Sequence, residues 1–234
     1  MWGLSDVHVS GTLEVETALE NLNEIKLMHI SEGVLPVSIL VGGAVIAVTG
    51  TAIGLRRLDY NRIPQAGVLA ASFFVASLIH VPLGVSSVHL ILNGLVGMML
   101  GWGAFPVIMI ALILQAVFFQ FGGFTTLGVN TVVMALPAVL VSFAFHPLKR
   151  KNASVVTVIS FLCGFFSVLF AALMMGFAFF LIGEAFFEVG TFVVISHLPV
   201  MIIEGIITVF CIRFLMKVQP SMLYVKKGVI NARS

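Results

Sequence analysis

The run LPVSILVGGAVIAVTGTAIGLRR, residues 35–57, contains no charged side chain until the arginine pair at its end. A helix needs about 20 consecutive apolar residues to cross the hydrocarbon core of a bilayer, and this run supplies them. Similar runs recur as far as residue 216, and the whole chain of 234 residues is 60% hydrophobic and 9% charged. Because soluble domains carry about 25% charged residues, the sequence predicts a polytopic helical membrane protein.

Charged residues, prolines and glycines divide the chain into seven predicted spans. These cover approximately residues 35–55, 66–81, 87–101, 104–121, 127–146, 153–182 and 192–216. The third span is short and holds three glycines, so a re-entrant hairpin is an alternative to a full crossing there. The expected fold is an all-α integral membrane protein, a bundle of seven transmembrane helices.

The basic residues give this bundle an orientation. If the chain crosses seven times, eleven of the twelve Lys and Arg residues fall on one side: Arg56, Arg57, Arg62, Lys149, Arg150, Lys151, Arg213, Lys217, Lys226, Lys227 and Arg233. By the positive-inside rule that side is the cytoplasm. We therefore expect the N-terminus outside and the C-terminus in the cytoplasm.

Residues 1–27 differ in composition from the rest of the chain. They contain five acidic residues, a single lysine and no apolar core. A secretory signal has a basic start and an apolar stretch of about 7–15 residues, and neither is present. We expect a polar acidic extension over residues 1–27, either a short appendage outside the membrane or a segment absent from the mature protein, a membrane domain over 28–217 and a basic cytoplasmic tail over 218–234.

Two of the six histidines, His29 and His89, fall near the same predicted outer face. A polar side chain inside lipid is expensive and is a candidate functional residue, although a lone histidine is more often a hydrogen-bonded core residue. Imidazole suits zinc, copper, iron and nickel, whereas calcium and magnesium need oxygen ligands of a kind that is not clustered here. By themselves the two histidines are one or two donors short of a metal site.

The stretch MHISEGVLP, residues 28–36, supplies the missing donors if Met28 is the amino terminus. Its terminal amine, the amide nitrogen of His29 and the Nδ1 atom of His29 can bind one ion through a five-membered and a six-membered chelate ring. A nitrogen from His89 would complete a square, which favours Ni(II) or Cu(II) and in some sites accommodates Co(II). The predicted metal ligands are therefore Met28, His29 and His89.

Three further polar residues have more than one interpretation. His80 could satisfy a hydrogen bond at the membrane interface or support the metal site, and His197 could cap a helix or stand near that site. Glu204 is a carboxyl group deep in a span, either protonated, hydrogen-bonded and structural, or functional. The chain contains neither the GxxxxGK[ST] motif of an ATP-binding loop nor a row of intramembrane carboxylates for proton coupling.

Three separated segments resemble the CbiM/NikM family, the substrate-specific membrane components of energy-coupling-factor transporters for cobalt and nickel. They are MHISEGVLP (28–36), HVPLGVSSVHLILNGLVGMMLGWGAFP (80–106) and LQAVFFQFGGFTTLGVNTVVMALPAV (114–139). The resemblance covers roughly residues 28–217 and implies a seven-helix bundle in a prokaryotic cytoplasmic membrane, with an outward N-terminus tucked into the core. The metal-binding groups that it implies are the Met28 amine, the His29 amide and imidazole, and His89.

The resemblance implies a non-enzymatic subunit that captures Co2+ or Ni2+ as cargo, without a resident cofactor, for an ATP-driven transporter. The implied partners are a CbiQ/NikQ-like scaffold membrane subunit, CbiO/NikO-like ATPase subunits and a small CbiN/NikN-like accessory membrane subunit, and not nucleic acid. A self-sufficient secondary metal carrier or channel is an alternative. A second alternative is an intramembrane metalloenzyme that uses His29, His89 and Glu204. The absence of an HExxH motif from the sequence disfavours it. The sequence does not choose between cobalt and nickel.

Overall fold

The computed structural model describes Ile30 and residues 32–83, 86–148, 152–182 and 187–223. Within these residues the chain forms eight α-helices and one two-stranded antiparallel hairpin. The helices are α1 (Val37–Arg57), α2 (Ile63–Ala76), α3 (Asn93–Leu100), α4 (Ala104–Phe119), α5 (Leu127–Leu148), α6 (Ala153–Phe180), α7 (Phe187–Ser196) and α8 (Leu198–Val218). The strands are β1 (His80–Leu83) and β2 (Ser86–His89).

Five stretches of the described chain are long and apolar enough to cross a membrane. They are Val37–Arg57, Asn93–Phe119, Leu127–Pro147, Ala153–Phe180 and Leu198–Val218. Large apolar side chains such as Val37 and Phe210 are more than two-thirds exposed on the outside of the bundle, where a bilayer would solvate them. The prediction of a multi-pass integral membrane protein is confirmed, and the count of seven crossings stays a prediction.

The second of these stretches is two helices that run in opposite directions. The guanidinium of Arg62, just before α2, donates to the carbonyl of Met99 near the end of α3. Phe74, toward the other end of α2, packs on Phe119 at the end of α4 with ring centroids 5.5 Å apart. The chain turns between the two helices at Gly101, whose φ of +56° is a conformation that glycine adopts without steric cost. We call the end of the bundle that contains Arg62, Met99 and Gly101 the Arg62 end.

Between α2 and α3 the structure has a β-hairpin where the sequence predicted the ends of two helices and a short loop. The predicted spans 66–81 and 87–101 are replaced by a 14-residue α2, the β1–β2 hairpin and an eight-residue α3. Pro82 has no backbone N–H for a helical hydrogen bond, whereas a proline is tolerated in an edge strand such as those of a two-stranded hairpin. The hairpin therefore takes the place of the last turns of one helix and the first turns of the next.

The last predicted span, 192–216, is also divided. Helix α7 ends at Ser196 and α8 begins at Leu198. Pro199 stands in the first turn of α8, where its missing N–H costs nothing, and it cannot donate the hydrogen bond that would continue α7. The break leaves His197 at the junction of the two helices.

Helix α3 lies at the centre of the bundle, and all eight of its residues are buried. Small residues make this possible, because a Cβ atom at Gly97 would overlap the backbone carbonyl of Ala138 in α5. A Cβ atom at Gly94 would come within 3.0 Å of the α6 backbone at Cys163 and Gly164. Close approach through small residues is the usual way in which membrane helices pack.

This packing predicts that Gly97→Ala destabilises the protein by about 1–3 kcal/mol, the usual cost of overpacking, because the added methyl group meets rigid backbone. Gly67→Ala is the matched control, since Gly67 lies in α2 and a methyl group added there would have nothing within 4 Å. Thermal unfolding in detergent measures both variants. Equal melting temperatures for the two variants would contradict the central placement of α3.

Candidate metal centre

The backbone at Ile30 is held by a side chain from the first turn of α5. Ile30 N donates to Oδ1 of Asn130 at 3.0 Å, and Nδ2 of Asn130 donates back to the Ile30 carbonyl at 3.1 Å. Nδ2 also donates to the Oγ1 atom of Thr126 at 3.2 Å. The Asn130 amide thus pairs both the backbone N–H and the backbone C=O of Ile30, as a neighbouring β-strand would. Buried backbone groups need such partners, because water does not reach them.

Apolar and polar contacts extend this attachment. The side chain of Ile30 is fully buried in a cluster with Val133 of α5, Met175 of α6 and Val193 of α7. Two residues further on, the exposed Glu32 carboxylate accepts a hydrogen bond from the Thr125 backbone N–H at 3.0 Å. That hydrogen bond lowers the pKa of Glu32. The start of the described chain is therefore tied to α5 and to the loop before it; we call this the Ile30 end of the bundle.

Two of the three predicted ligands immediately precede this attachment. Met28 and His29 lie outside the described residues. Among the described residues, no group of three or more His, Cys, Asp and Glu side chains is placed to hold a metal ion.

The third predicted ligand, His89, is described and buried, with 3% of its surface exposed. It is the last residue of β2, and its Nδ1 atom lies 2.8 Å from the carbonyl oxygen of Leu90. A carbonyl can only accept, so this contact requires the proton on Nδ1. In the neutral imidazole that tautomer leaves the lone pair on Nε2, the state in which a histidine binds a metal.

Glu204 of α8 holds the turn that follows His89. Its carboxylate is fully buried and accepts the backbone N–H of Ile91. It also accepts the N–H of Leu92, which lies 2.9 Å from Oε1 and 3.1 Å from Oε2. Leu92 is the residue before α3 and provides no side-chain cap of its own. The carboxylate therefore satisfies N–H groups at the start of α3 that have no intrahelical partner.

His197 lines a small cavity between these two attachments. Its Nδ1 atom lies 2.6 Å from the Val193 carbonyl, and its side chain is 2% exposed. The cavity has a volume of about 10 Å³, close to the space that one water molecule needs. Its wall is made by Ile91, Val133, Met134, Ala171, Ala172, Met175 and His197. Val133 and Met175 belong to the same apolar cluster as Ile30, and Ile91 belongs to the turn after His89, so the cavity lies between that cluster and the turn.

The structure thus answers part of what the sequence left open. It gives Glu204 a helix-capping role across 112 residues of chain and brings His197 to a cavity. His80 is described only through its backbone, which pairs with His89 in the hairpin. The hydrogen bonds between Asn130 and Ile30 could not be predicted, because the two residues are 100 positions apart and no local sequence pattern links them.

Residues 29–222 match the family model described as CbiM, cobalt uptake substrate-specific transmembrane region. The chain belongs to the CbiM family. The family prediction made from the three segments is thereby confirmed.

Individual relatives agree with this membership. The chain is 44% identical over 199 residues to a protein of Haemophilus influenzae named "Putative metal transport protein", covering 84% of this chain and 97% of that one. It is 32% identical over 213 residues to the cobalt transport protein CbiM of Sorangium cellulosum, covering 84% and 94%. It is 33% identical over 135 residues to the fused nickel transport protein NikMN of Rhodobacter capsulatus, covering 55% and 39%.

A solved structure has the same fold. The crystal structure of a truncated transition metal transporter superposes with a TM-score of 0.65 over 81% of this chain and 98% of that one, at 22% sequence identity. At this identity the likeness concerns the helical arrangement alone. The chain is thus a membrane component of a cobalt and nickel transport family, and its fold is helical.

The attachment at Ile30 predicts that Asn130→Ala loosens the backbone at Ile30, because two buried backbone groups lose their partners at about 1–3 kcal/mol each. Hydrogen exchange in the peptide around residues 28–36 should accelerate. Thr131→Val is the control, since Thr131 is equally buried but its hydroxyl only bonds the Leu127 carbonyl of its own helix. Unchanged exchange in Asn130→Ala would contradict the attachment.

Proposed function

We propose that this chain captures Co2+ or Ni2+ at the Ile30 end of the bundle, as the substrate-binding subunit of an ATP-driven energy-coupling-factor transporter. The observation that carries the proposal is the pair of hydrogen bonds between Asn130 and Ile30. It fixes the backbone one residue after His29, beside a cavity whose wall includes Ile91. Ile91 in turn follows His89 by two residues.

Four nitrogen atoms make up the proposed site. Three come from the N-terminal pair: the Met28 amine, the His29 amide nitrogen and the His29 Nδ1 atom. The fourth is Nε2 of His89, whose tautomer suits a ligand. Because consecutive Cα atoms are about 3.8 Å apart, the fixed Ile30 backbone limits how far His29 can move from the cavity. Nitrogen donors in a square favour the late divalent transition metals over calcium or magnesium.

The proposed orientation puts the Ile30 end outside the cell. The basic residues Arg56, Arg57 and Arg62 cluster at the opposite end, as the positive-inside rule requires for the cytoplasmic side. The opposed directions of α3 and α4 support seven crossings, with the hairpin and α3 together making one of them. Metal would then enter from outside and leave toward the basic face.

Transport requires other polypeptides in this proposal. We expect a CbiQ/NikQ-like scaffold subunit and CbiO/NikO-like ATPases, since the sequence has no ATP-binding loop of its own. A small CbiN/NikN-like subunit is supported by the NikMN relative, whose name joins the two components in one chain. Metal flux into liposomes that contain this chain alone would favour a secondary carrier or channel and contradict the proposal.

We predict that His89→Ala lowers the affinity for Co2+ and Ni2+ by more than about 100-fold, because it removes a ligand rather than an outer partner of one. Calorimetric titration of purified protein beginning at Met28 measures the change. His146→Ala is the matched control, because His146 lies near Gly101 at the Arg62 end. An affinity of His89→Ala within a few-fold of that of His146→Ala would remove His89 from the site.

The second prediction concerns the amino terminus. A free amine at Met28 requires a mature protein that begins at Met28. Protein that begins at Met28 should bind metal at least as tightly as the 234-residue chain. One glycine added before Met28 should weaken binding sharply, because the amine becomes an amide nitrogen. Tight square-planar binding by the intact chain, seen in its absorption spectrum, would show that the amine is not a ligand.

A further inference from the structure

One peptide group, the one that joins Leu90 to Ile91, contacts a histidine on one side and a carboxylate on the other. Its carbonyl oxygen lies 2.8 Å from Nδ1 of His89. Its N–H donates to Oε1 of Glu204. His89 and Glu204 therefore belong to one hydrogen-bonded chain that runs from imidazole through amide to carboxylate.

This arrangement is buried throughout. Glu204 is fully buried, His89 is 3% exposed, and Leu90 and Ile91 are 7% and 2% exposed. Hydrogen bonds in such a low-dielectric setting are stronger than in water, and chains of them polarise one another. A second N–H, from Leu92, contacts both carboxylate oxygens and fixes the carboxylate relative to the turn.

The polarisation has a definite direction. A carboxylate that accepts the Ile91 N–H shifts electron density in that amide toward the Leu90 carbonyl oxygen. The carbonyl then accepts more strongly from the Nδ1–H of His89, which holds the proton on Nδ1 and makes Nε2 a better donor to a metal. A carboxylate bonded directly to a ligating histidine has the same effect, and here one peptide group stands between them.

We propose that Glu204 is a positioning residue for the transported metal, acting on His89 through the Leu90–Ile91 peptide group. It fixes the imidazole tautomer and ring orientation and raises the donor strength of Nε2. This inference rests on the proposed function, because it takes His89 as a metal ligand.

The simpler role, a helix cap without influence on the metal, makes a different prediction. Glu204→Gln keeps the size of the side chain and an oxygen that can accept from Ile91 or Leu92, but it removes the charge. A cap would tolerate this change with little effect on His89. The proposed relay predicts a weaker Nδ1–H hydrogen bond and a metal affinity that is about 10–100-fold lower.

The experiment uses two readouts on protein with 15N-labelled histidine, with Thr208→Val as control. Thr208 lies one turn further along α8 and is equally buried, and its hydroxyl makes no hydrogen bond with the described residues, including Leu90–Leu92. Without metal, the His89 Nδ1–H resonance should move upfield in Glu204→Gln and stay in place in Thr208→Val. Titration with Co2+ or Ni2+ should then show the lower affinity in Glu204→Gln alone.

The outcomes separate the two proposals. If unsubstituted protein beginning at Met28 binds no metal, the proposed function fails, whereas the NMR comparison still tests the link between Glu204 and His89. If it binds metal and Glu204→Gln matches it in both readouts, Glu204 is a helix cap and the inference is overturned. Should Glu204→Gln not fold, Glu204→Asp replaces it, since its shorter carboxylate should weaken the contact with Ile91. An unchanged Nδ1–H resonance in that variant would equally overturn the inference.

Discussion

The double hydrogen bond between Asn130 and Ile30 is the contact on which the Ile30 end of this bundle depends. A non-helical residue inside a membrane protein carries N–H and C=O groups that lipid cannot satisfy, and each costs about 1–3 kcal/mol if it is left unpaired. One side-chain amide removes that cost for both groups of Ile30. Because the amide belongs to the first turn of α5, Ile30 is held in one position relative to the bundle. The apolar cluster around Ile30, the contact of Glu32 with Thr125 and the small cavity all follow from that position.

A second asparagine, Asn93, makes hydrogen bonds in the interior of the bundle, as Asn130 does at the Ile30 end. Asn93 is fully buried, and its Nδ2 atom donates to carbonyls of Met134 in α5 and Ser167 in α6. Its Oδ1 atom accepts from Gly94 N and from the Ser167 hydroxyl. Every polar atom of this amide is therefore satisfied, which is the condition under which a buried network stabilises one arrangement. Together with the capping carboxylate of α8, it fixes where α3 begins and hence where the turn after His89 lies.

The sequence predicts the long elements of this fold well and the short ones poorly. The predicted spans 35–55, 104–121, 127–146 and 153–182 agree with α1, α4, α5 and α6 to within two residues at each end, because long apolar runs have one stable state in lipid. The hairpin and α3 were not predicted. The backbone N–H and C=O groups of a strand are paired by another strand, so the apolar pattern of the segment itself does not reveal them. For the candidate site, sequence and family resemblance pointed to His89, but the carboxylate that binds the turn after it, Glu204, lies more than 100 positions away.

The complete burial of α3 also separates it from the bilayer. A helix of eight residues is about 12 Å long, far less than the roughly 30 Å of the hydrocarbon core, and a lipid-facing helix of that length would thin the membrane or tilt. Because α3 touches protein on every side, hydrophobic mismatch acts on α1 and the other outer helices instead. These can tilt as membrane thickness changes, while the central helix and the turn before it keep their geometry. The geometry of α3 and of the turn after His89 therefore does not depend on the lipid composition of the membrane.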